Sequence, residues 1–191
     1  MGKIEQNWKV QVVSDNPTYP FVVIDNWYTA QEEKNIWKEL DFYSSHDKIA
    51  RAETSVVARD SKGNSLSKAF RYYPNEIFTE YGFTKSHIHN YMYKQRTPEF
   101  HKIITDNCMP YARSFISSNK DATLISYYEE NDHYHDHHDT FLWTCLIWMV
   151  REPRLFDGGD FEFPESGYKV KLKNNRAVFF PCCYTHKVSP V

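Results

Sequence analysis

The hydrophobic pattern of residues 20–40 predicts a buried strand followed by an amphipathic helix. Residues 21–24, with the sequence FVVI, are aromatic and β-branched, as is typical of a short buried strand. Thr29 and Glu32 then form a T-x-x-E capping box, which favours the start of a helix at this point. The apolar stripe that this helix would bury consists of Ile36, Trp37 and Leu40.

The polar stretch 44–70 predicts an exposed hairpin or a solvated loop, with a mobile lid over a substrate as the alternative. Residues 74–118 then predict mainly helical structure. Pro98 suits the first turn of a helix, because the N–H group that proline lacks would have no partner there. Pro110 should divide the helical segment, since its ring clashes with the preceding turn.

After residue 120 the hydrophobic pattern changes to short segments that are β-branched and aromatic, with turns between them. Every second residue of 168–172 is apolar, which predicts one face toward the core and one toward solvent. Asn174 and Asn175 predict a hairpin turn between this segment and the next. The segments are ATLISYYE (122–129), FLWTCLIWMV (141–150), GDFEF (159–163), YKVKL (168–172) and AVFFP (177–181). Together they predict an antiparallel β sandwich or barrel.

These elements predict one α+β domain over residues 1–191, mainly β with helices toward its N-terminus. Within it we expect a support region rich in strands and helices at 1–118 and a β core at 119–191. A length of 191 residues suits a single domain. Hydrophobic residues make up only 41% of the chain, but aromatic residues make up 17%, and large rings fill a core with fewer apolar positions.

The net charge, the apolar segments and the cysteines bear on the expected location of the protein in the cell. The net charge of −2 gives no positive field that would favour nucleic acid or a membrane surface. The longest apolar run, 141–150, is about half a membrane span, and the N-terminus lacks the apolar segment of a signal peptide. The four cysteines, of which Cys182 and Cys183 are adjacent, form neither a disulfide framework nor a zinc knuckle pattern. We therefore expect a cytoplasmic protein.

Four of the nine histidines lie in one short stretch, ENDHYHDHHDTF at 130–141. In a strand, the side chains at positions i and i+2 point the same way and lie roughly 7 Å apart along the chain. Two of them can therefore converge on one metal ion. The spacing allows three such pairs and does not choose between them. They are His133 with His135, His135 with His137, and His137 with Asp139.

A third donor is available from His186, the only histidine after this stretch, which follows the apolar segment 177–180. Combined with a His-x-Asp pair it gives two imidazoles and one carboxylate. That set is the facial triad of non-haem Fe(II) oxygenases, which leaves coordination positions open for substrates. An all-histidine set would instead suit zinc or copper.

With these residues in view, the chain resembles the Fe(II)- and 2-oxoglutarate-dependent oxygenases, in particular their prolyl 4-hydroxylase-like branch. The family pattern Y-x-x-G-x-x-Y-x-x-H-x-D is similar to residues 128–139, with Asn131 in place of glycine. Asparagine also tolerates left-handed backbone. The opening PFVVIDNWYTAQEE (20–33) resembles the usual first strand and helix of the family. Further similar segments follow in family order: TCLIWM (144–149), DGGDFEFP (157–164) and AVFFPCCYTHKVSPV (177–191).

The resemblance implies roles for individual residues by position. His137, Asp139 and His186 would be the iron ligands, and Tyr128 would reach the 2-oxoglutarate. Four apolar residues would line the cosubstrate pocket: Leu146, Trp148, Phe161 and Val188. The other histidines of the stretch are expected to be exposed bystanders: His133, His135 and His138.

The resemblance also implies a fold and an activity. The fold would be a double-stranded β-helix, or jelly roll, with helices packed outside. The activity would use Fe(II), 2-oxoglutarate and O2, hydroxylate an unactivated C–H bond and release succinate and CO2, and the family allows ascorbate as a further cofactor. A prolyl residue in a peptide or protein is the favoured substrate, and a small molecule is the other class that we expect.

The chain departs from the family pattern in two respects. Trp148 stands where the family often has tyrosine. The basic residue that pairs with the far carboxylate of 2-oxoglutarate lies about ten positions after the distal histidine in the family, beyond Val191 in this numbering. We expect either that it follows Val191 or that another cation serves, with Arg151, Arg176 and the lysines of 169–173 as candidates. The alternative functional class is a non-catalytic jelly-roll binding module that holds a structural zinc.

Overall fold

The computed structural model describes residues 7–13, 18–44, 50–51, 57–74 and 85–191. Its strands are β1 (Lys9–Val13), β2 (Phe21–Asp25), β3 (Ala50–Arg51), β4 (Ser67–Lys68), β5 (Phe70–Tyr72), β6 (Ile125–Tyr127), β7 (His133–His137), β8 (Trp143–Trp148), β9 (Phe161–Phe163), β10 (Tyr168–Val170), β11 (Arg176–Pro181) and β12 (His186–Val188). Its helices are α1 (Ala30–Ser44), α2 (His87–Asn90), a 3-10 helix (Tyr91–Arg96), α3 (Pro98–Asn107) and α4 (Ala112–Ile116).

The strands form two main sheets and a small third one. The first sheet has the order β1-β2-β11-β8, and the second has the order β10-β9-β12-β7-β4. The third consists of β3, β5 and β6. Strands that are distant in sequence, such as β2 and β11, pair antiparallel, as is typical of jelly rolls. The predicted fold class, α+β with a jelly-roll core, is confirmed.

Residue alternation explains why β2 and β11 are apolar apart from one charged end residue each, Asp25 and Arg176. Phe21 and Val23 of β2 join a core cluster between the two main sheets, together with Phe180 of β11. Val22 of β2 and Phe179 of β11 join a second cluster, which includes residues of the helices. Since side chains alternate between faces, a sheet that is covered on both sides needs apolar residues at every position.

The helices begin and end where local chemistry predicts. The Glu32 carboxylate accepts the N–H of Thr29 at 2.8 Å, and the Thr29 hydroxyl accepts the N–H of Glu32 at 3.3 Å. This reciprocal pair is the predicted capping box. Pro98 lies in the first turn of α3, and Pro110 lies between α3 and α4. No helix in the described part of the chain is both long and apolar enough to cross a bilayer.

One prediction about strand pairing is wrong. A turn does occur at Asn174 and Asn175, but β10 and β11 do not form a hairpin across it. Strand β10 pairs with β9 in the second sheet, whereas β11 pairs with β2 and β8 in the first. The turn therefore carries the chain from one sheet to the other, as connections in jelly rolls do.

Two other predicted regions are described only in part. Within 44–70, residues 59–65 form an exposed turn closed by an antiparallel bridge between Arg59 and Ser65, which agrees with a hairpin there. Residues 45–49 and 52–56 of that stretch lie outside the described residues, as do residues 75–84 of the predicted helical region.

Candidate metal centre

A bulge in β7 determines which of its side chains share a direction. His186 of β12 lies opposite His137, whereas Val188 lies opposite Tyr134. Over this interval β7 therefore contains one residue more than β12, which is a β-bulge. Tyr134 and His137 consequently stack, with ring centroids 3.4 Å apart. His133 packs against His135 at 4.4 Å and is half-buried, while His135 is exposed. The bulge thus separates the buried His137 from the more exposed histidines of the strand.

Three donor atoms converge at the end of β7. Among the residues that the structure describes, His137, Asp139 and His186 are the one group whose potential metal-binding atoms come together, all within 4.8 Å of one another. His137 Nε2 lies 3.8 Å from one Asp139 oxygen, and His186 Nε2 lies 3.5 Å from the other. Ligands at right angles and about 2.1 Å from a shared ion stand roughly 3 Å apart. Small side-chain adjustments would therefore let one cation bind all three.

Backbone hydrogen bonds fix the tautomers of both histidines. His137 Nδ1 lies 2.7 Å from the carbonyl oxygen of His135, and His186 Nδ1 lies 3.0 Å from that of Tyr184. A carbonyl oxygen only accepts, so each Nδ1 carries the proton and each Nε2 keeps a lone pair. Metal-bound histidines commonly donate the other ring N–H in this way. The two Nε2 atoms are thus prepared to bind a cation.

Burial keeps both imidazoles neutral. Burial, together with the proximity of His186, lowers the pKa of His137 to about 4. Burial also lowers the pKa of His186, although the Asp139 carboxylate opposes this effect. Neutral imidazole is the form that binds metal, so near pH 7 neither histidine needs to lose a proton before it can act as a ligand.

Thr144 of β8 positions the Asp139 carboxylate. Its hydroxyl donates a hydrogen bond to Asp139 Oδ2 and lies 3.1 Å from the sulfur of Cys182. The Asp139 side chain is 28% exposed, whereas His137 and His186 are buried. The site is therefore closed on the histidine side and open toward solvent at the carboxylate.

The four apolar residues predicted to line a cosubstrate pocket lie in one place. All belong to or pack against the core cluster between the two main sheets. Phe161 lies beside the candidate centre, its ring centroid 5.5 Å from that of His186. Contact of this set with 2-oxoglutarate stays a prediction. The residues are Leu146, Trp148, Phe161 and Val188.

Tyr128 directly follows β6 and lies outside that apolar cluster. Burial raises the pKa of its hydroxyl to about 12, and the nearby positive charge of Arg71 opposes the rise. Arg71 was not predicted as a site residue, yet its guanidinium stands 4.7 Å from the ring centroid of Tyr134. The signal that could have revealed it is a single charge in the aromatic run FRYY at 70–73.

The cations predicted for the far carboxylate of 2-oxoglutarate mostly pair with acidic side chains of the chain itself. None of those pairs includes His137, Asp139 or His186. The pairs are Arg151 with Asp41, Arg176 and Lys173 with Asp25, and Lys169 with Glu162.

Comparison with known proteins agrees with this geometry. Residues 123–191 match the sequence profile of the 2OG-Fe(II) oxygenase superfamily. No curated protein matches the chain by sequence.

Solved structures share the fold at low sequence identity. A prolyl-4-hydroxylase from Pseudomonas putida is 14% identical, with a TM-score of 0.64 over 91% of this chain and 86% of that one. A prolyl hydroxylase from Trichoplax adhaerens, solved with a peptide fragment of the hypoxia inducible factor oxygen degradation domain, is 14% identical, with a TM-score of 0.58 over 89% and 77%. The viral collagen prolyl hydroxylase of Paramecium Bursaria Chlorella virus-1, solved with 2OG, is 14% identical, with a TM-score of 0.51 over 90% and 88%.

The superfamily match covers the segment that contains His137, Asp139 and His186. The structural matches cover most of the chain and establish the fold, since an identity of 14% carries no substrate with it. The resemblance to the Fe(II)- and 2-oxoglutarate-dependent oxygenases is thereby confirmed by sequence over residues 123–191. Over most of its length the chain shares the fold of prolyl hydroxylases.

Proposed function

We propose that the protein is an Fe(II)- and 2-oxoglutarate-dependent dioxygenase that hydroxylates an unactivated C–H bond, with His137, Asp139 and His186 as the iron ligands. The observation that carries this proposal is the geometry of these donors, two neutral imidazoles whose Nε2 atoms face a single carboxylate. Two histidines and one carboxylate leave positions for cosubstrates on a non-haem iron. A structural zinc would normally require four protein donors.

The bound iron and 2-oxoglutarate would supply the oxidising power, with succinate and CO2 as the products of the cosubstrate. The chain itself would hold the iron and the cosubstrate and shield them from water. Backbone carbonyls keep the two imidazoles in the binding tautomer, and Thr144 holds Asp139 in place. The apolar side chains of Leu146, Trp148, Phe161 and Val188 would exclude water from one side of the cosubstrate. The Tyr128 hydroxyl would donate a hydrogen bond to a cosubstrate carboxylate.

A prolyl residue in a peptide or protein is the substrate that we favour. The three structural neighbours are prolyl hydroxylases, and one of them was solved with a peptide fragment. Two exposed apolar residues that closely follow Asp139 in the sequence support the choice of a large substrate, since Phe141 is 67% exposed and Leu142 is 58% exposed. Exposed apolar side chains offer contact area to a peptide.

We also propose that residues 1–191 form one oxygenase-like domain, with 1–118 as the support region and 119–191 as the β core that carries the metal. The pairing of β2 with β11 supports a single domain, because strands from both regions share the first sheet.

The test separates metal binding from turnover. Under anaerobic conditions Fe(II) and 2-oxoglutarate should produce the weak visible charge-transfer band of a chelated 2-oxo acid. Admission of O2, with ascorbate to keep the iron reduced, should then release succinate. His137→Ala should abolish both signals, whereas His135→Ala should keep both, because His135 lies outside the converging group.

A wild-type protein that binds zinc tightly but gives neither the band nor succinate would support the non-catalytic alternative. Proline-containing peptides, screened by mass spectrometry for a gain of one oxygen atom, would test the substrate class. A small-molecule substrate is supported if peptides fail while succinate release is stimulated by low-molecular-weight compounds.

A further inference from the structure

Arg71 of β5 is a buried cation whose hydrogen bonds are incomplete. Arg71 is buried, with only 5% of the residue exposed. Nη2 donates to the Ser67 hydroxyl at 3.1 Å, and the guanidinium lies over the Tyr134 ring. Nε is buried and has no hydrogen-bond partner. Within the described ranges, no carboxylate lies at salt-bridge distance from Arg71.

A buried arginine without a carboxylate partner is suited to bind an anion. Arginine stays protonated in proteins, and removing an unpaired charge from water is costly. A neutral hydroxyl and an aromatic face do not neutralise it. A ligand carboxylate would accept a hydrogen bond from the free Nε–H and neutralise the positive charge, since guanidinium binds carboxylates through adjacent N–H groups.

The position of Arg71 places this unsatisfied charge beside the candidate metal centre. Tyr134 contacts both the candidate metal centre and Arg71. Its ring stacks on His137, and the Arg71 guanidinium lies 4.7 Å from the centroid of the same ring. Strand pairing also relates Arg71 to Tyr128. Because Arg71 is opposite Ser126 and Phe70 is opposite Tyr127, Tyr128 is the diagonal neighbour of Arg71 on the same sheet face.

We infer that Arg71 binds the carboxylate of 2-oxoglutarate that points away from the iron, with Tyr128 beside it. The inference rests on the proposed function, because it requires His137, Asp139 and His186 to hold the iron. 2-Oxoglutarate carries a carboxylate at each end. One end, with its oxo group, would bind at the open metal positions, and the other would meet the guanidinium. Arg71 is thus a binding residue for the cosubstrate rather than a fold-stabilising arginine.

The test compares two cosubstrates that differ only at the far end. 2-Oxopentanoate has a methyl group where 2-oxoglutarate has its second carboxylate. Binding to the Fe(II)-loaded protein is followed without oxygen by the charge-transfer band, which does not depend on catalysis. Arg71→Met should weaken 2-oxoglutarate binding roughly 100-fold, the usual loss for a charge-assisted hydrogen bond. Binding of 2-oxopentanoate should be unchanged.

Arg71→Lys keeps the positive charge but loses the planar fork, and it serves if the methionine variant does not fold. It should weaken 2-oxoglutarate binding by a smaller factor and again leave 2-oxopentanoate unaffected. Arg151→Met is the matched control, since Arg151 pairs with Asp41 at an exposed position, and this variant should bind both acids like the wild type.

The possible outcomes distinguish the two claims. If the wild type gives no band with either acid, the proposed function fails and the assignment of Arg71 fails with it. If the wild type gives the band but Arg71 variants bind 2-oxoglutarate normally, or lose both acids equally, the assignment alone is overturned. Selective loss of 2-oxoglutarate in either Arg71 variant supports it.

Discussion

Thr144 shows how one hydroxyl can position a metal ligand. Its Oγ1 donates to Asp139, the only carboxylate in the candidate triad. Thr144→Val keeps the shape of the side chain and removes the donor, so the carboxylate should turn more freely. Loss of such an outer hydrogen bond typically weakens metal affinity roughly 10- to 100-fold. An Fe(II) titration under argon, or a Mn(II) titration in air, measures the change.

Thr144→Ser is the matched control, because serine retains the hydroxyl and loses only a methyl group. It should bind metal within a few-fold of the wild type. Equal affinity in the valine variant and the wild type would show that Asp139 needs no support from Thr144.

The buried histidines give the metal-free protein a defined response to acid. Burial lowers the pKa of His137 from 6.5 to about 4 in the folded state, whereas the unfolded chain keeps the higher value. Between these two values the unfolded state binds a proton that the folded state does not. The free energy of unfolding should therefore fall as pH drops from about 6.5 toward 4, and His137 should contribute no slope above this window. Urea unfolding in the presence of a chelator measures this dependence.

His137→Gln removes the titrating group from the same position. Its stability should decline less steeply than that of the wild type over the same pH window. Identical slopes for the two proteins would contradict the lowered pKa of His137.

At the scale of elements, Asn175 ties the turn before β11 to the entrance of α1. Its amide accepts the N–H of Tyr28 at 2.7 Å, and it donates to the Tyr28 carbonyl at 2.8 Å and to the Glu33 carboxylate at 3.1 Å. Its backbone φ is 58°, a left-handed conformation that costs most residues roughly 1–2 kcal/mol. With about 1 kcal/mol for each of these three hydrogen bonds, Asn175→Ala should lower the free energy of unfolding by roughly 4–5 kcal/mol. Urea unfolding provides the value.

Asn175→Gly separates the two contributions, since glycine adopts positive φ without strain. It should lose only the contribution of the three hydrogen bonds, about 3 kcal/mol. If the alanine and glycine variants lose the same stability, backbone strain has no part in the requirement for asparagine.

Local sequence chemistry predicted those features that depend on neighbouring residues. The capping box of Thr29 and Glu32 formed as expected. At Asn131, where the family pattern has glycine, the backbone is left-handed, with a φ of 65°. These features need only a few adjacent residues to be specified.

Features that depend on a distant partner strand were not predictable in the same way. The turn at Asn175 was recognised, but its local residues do not encode that β10 and β11 enter different sheets. The bulge in β7 exists only relative to β12. The diagonal placement of Arg71 beside Tyr128 exists only because β5 pairs with β6. Each of these results from long-range pairing, which residue patterns specify weakly.

At the scale of the whole molecule, the candidate site joins two distant parts of the second sheet. His137 ends β7 and His186 begins β12, and the two residues lie opposite each other in the antiparallel pair. The ordered set of family-like segments predicted this meeting, and the convergence of the three donors agrees with it. Strand pairing in this sheet thus brings together donors that are far apart in the sequence.

A metal bound across β7 and β12 should stabilise the folded chain as a whole. A ligand at 100 times its Kd adds about 2.7 kcal/mol to the free energy of unfolding, provided that the unfolded chain does not bind it. For a domain of this size each kcal/mol raises Tm by roughly 2–4 °C. Anaerobic Fe(II) should therefore raise Tm by roughly 5–10 °C, measured by circular dichroism.

Addition of 2-oxoglutarate should raise Tm further only when metal is present, because its oxo acid end would bind at the ion. His137→Ala should lose the iron-dependent shift and with it the response to 2-oxoglutarate, whereas His135→Ala should keep both, because His135 is exposed and outside the triad. A shift of the same size in His137→Ala would mean that iron stabilises the protein from another position. The comparison therefore tests whether His137 joins the two strands through the metal or only packs between them.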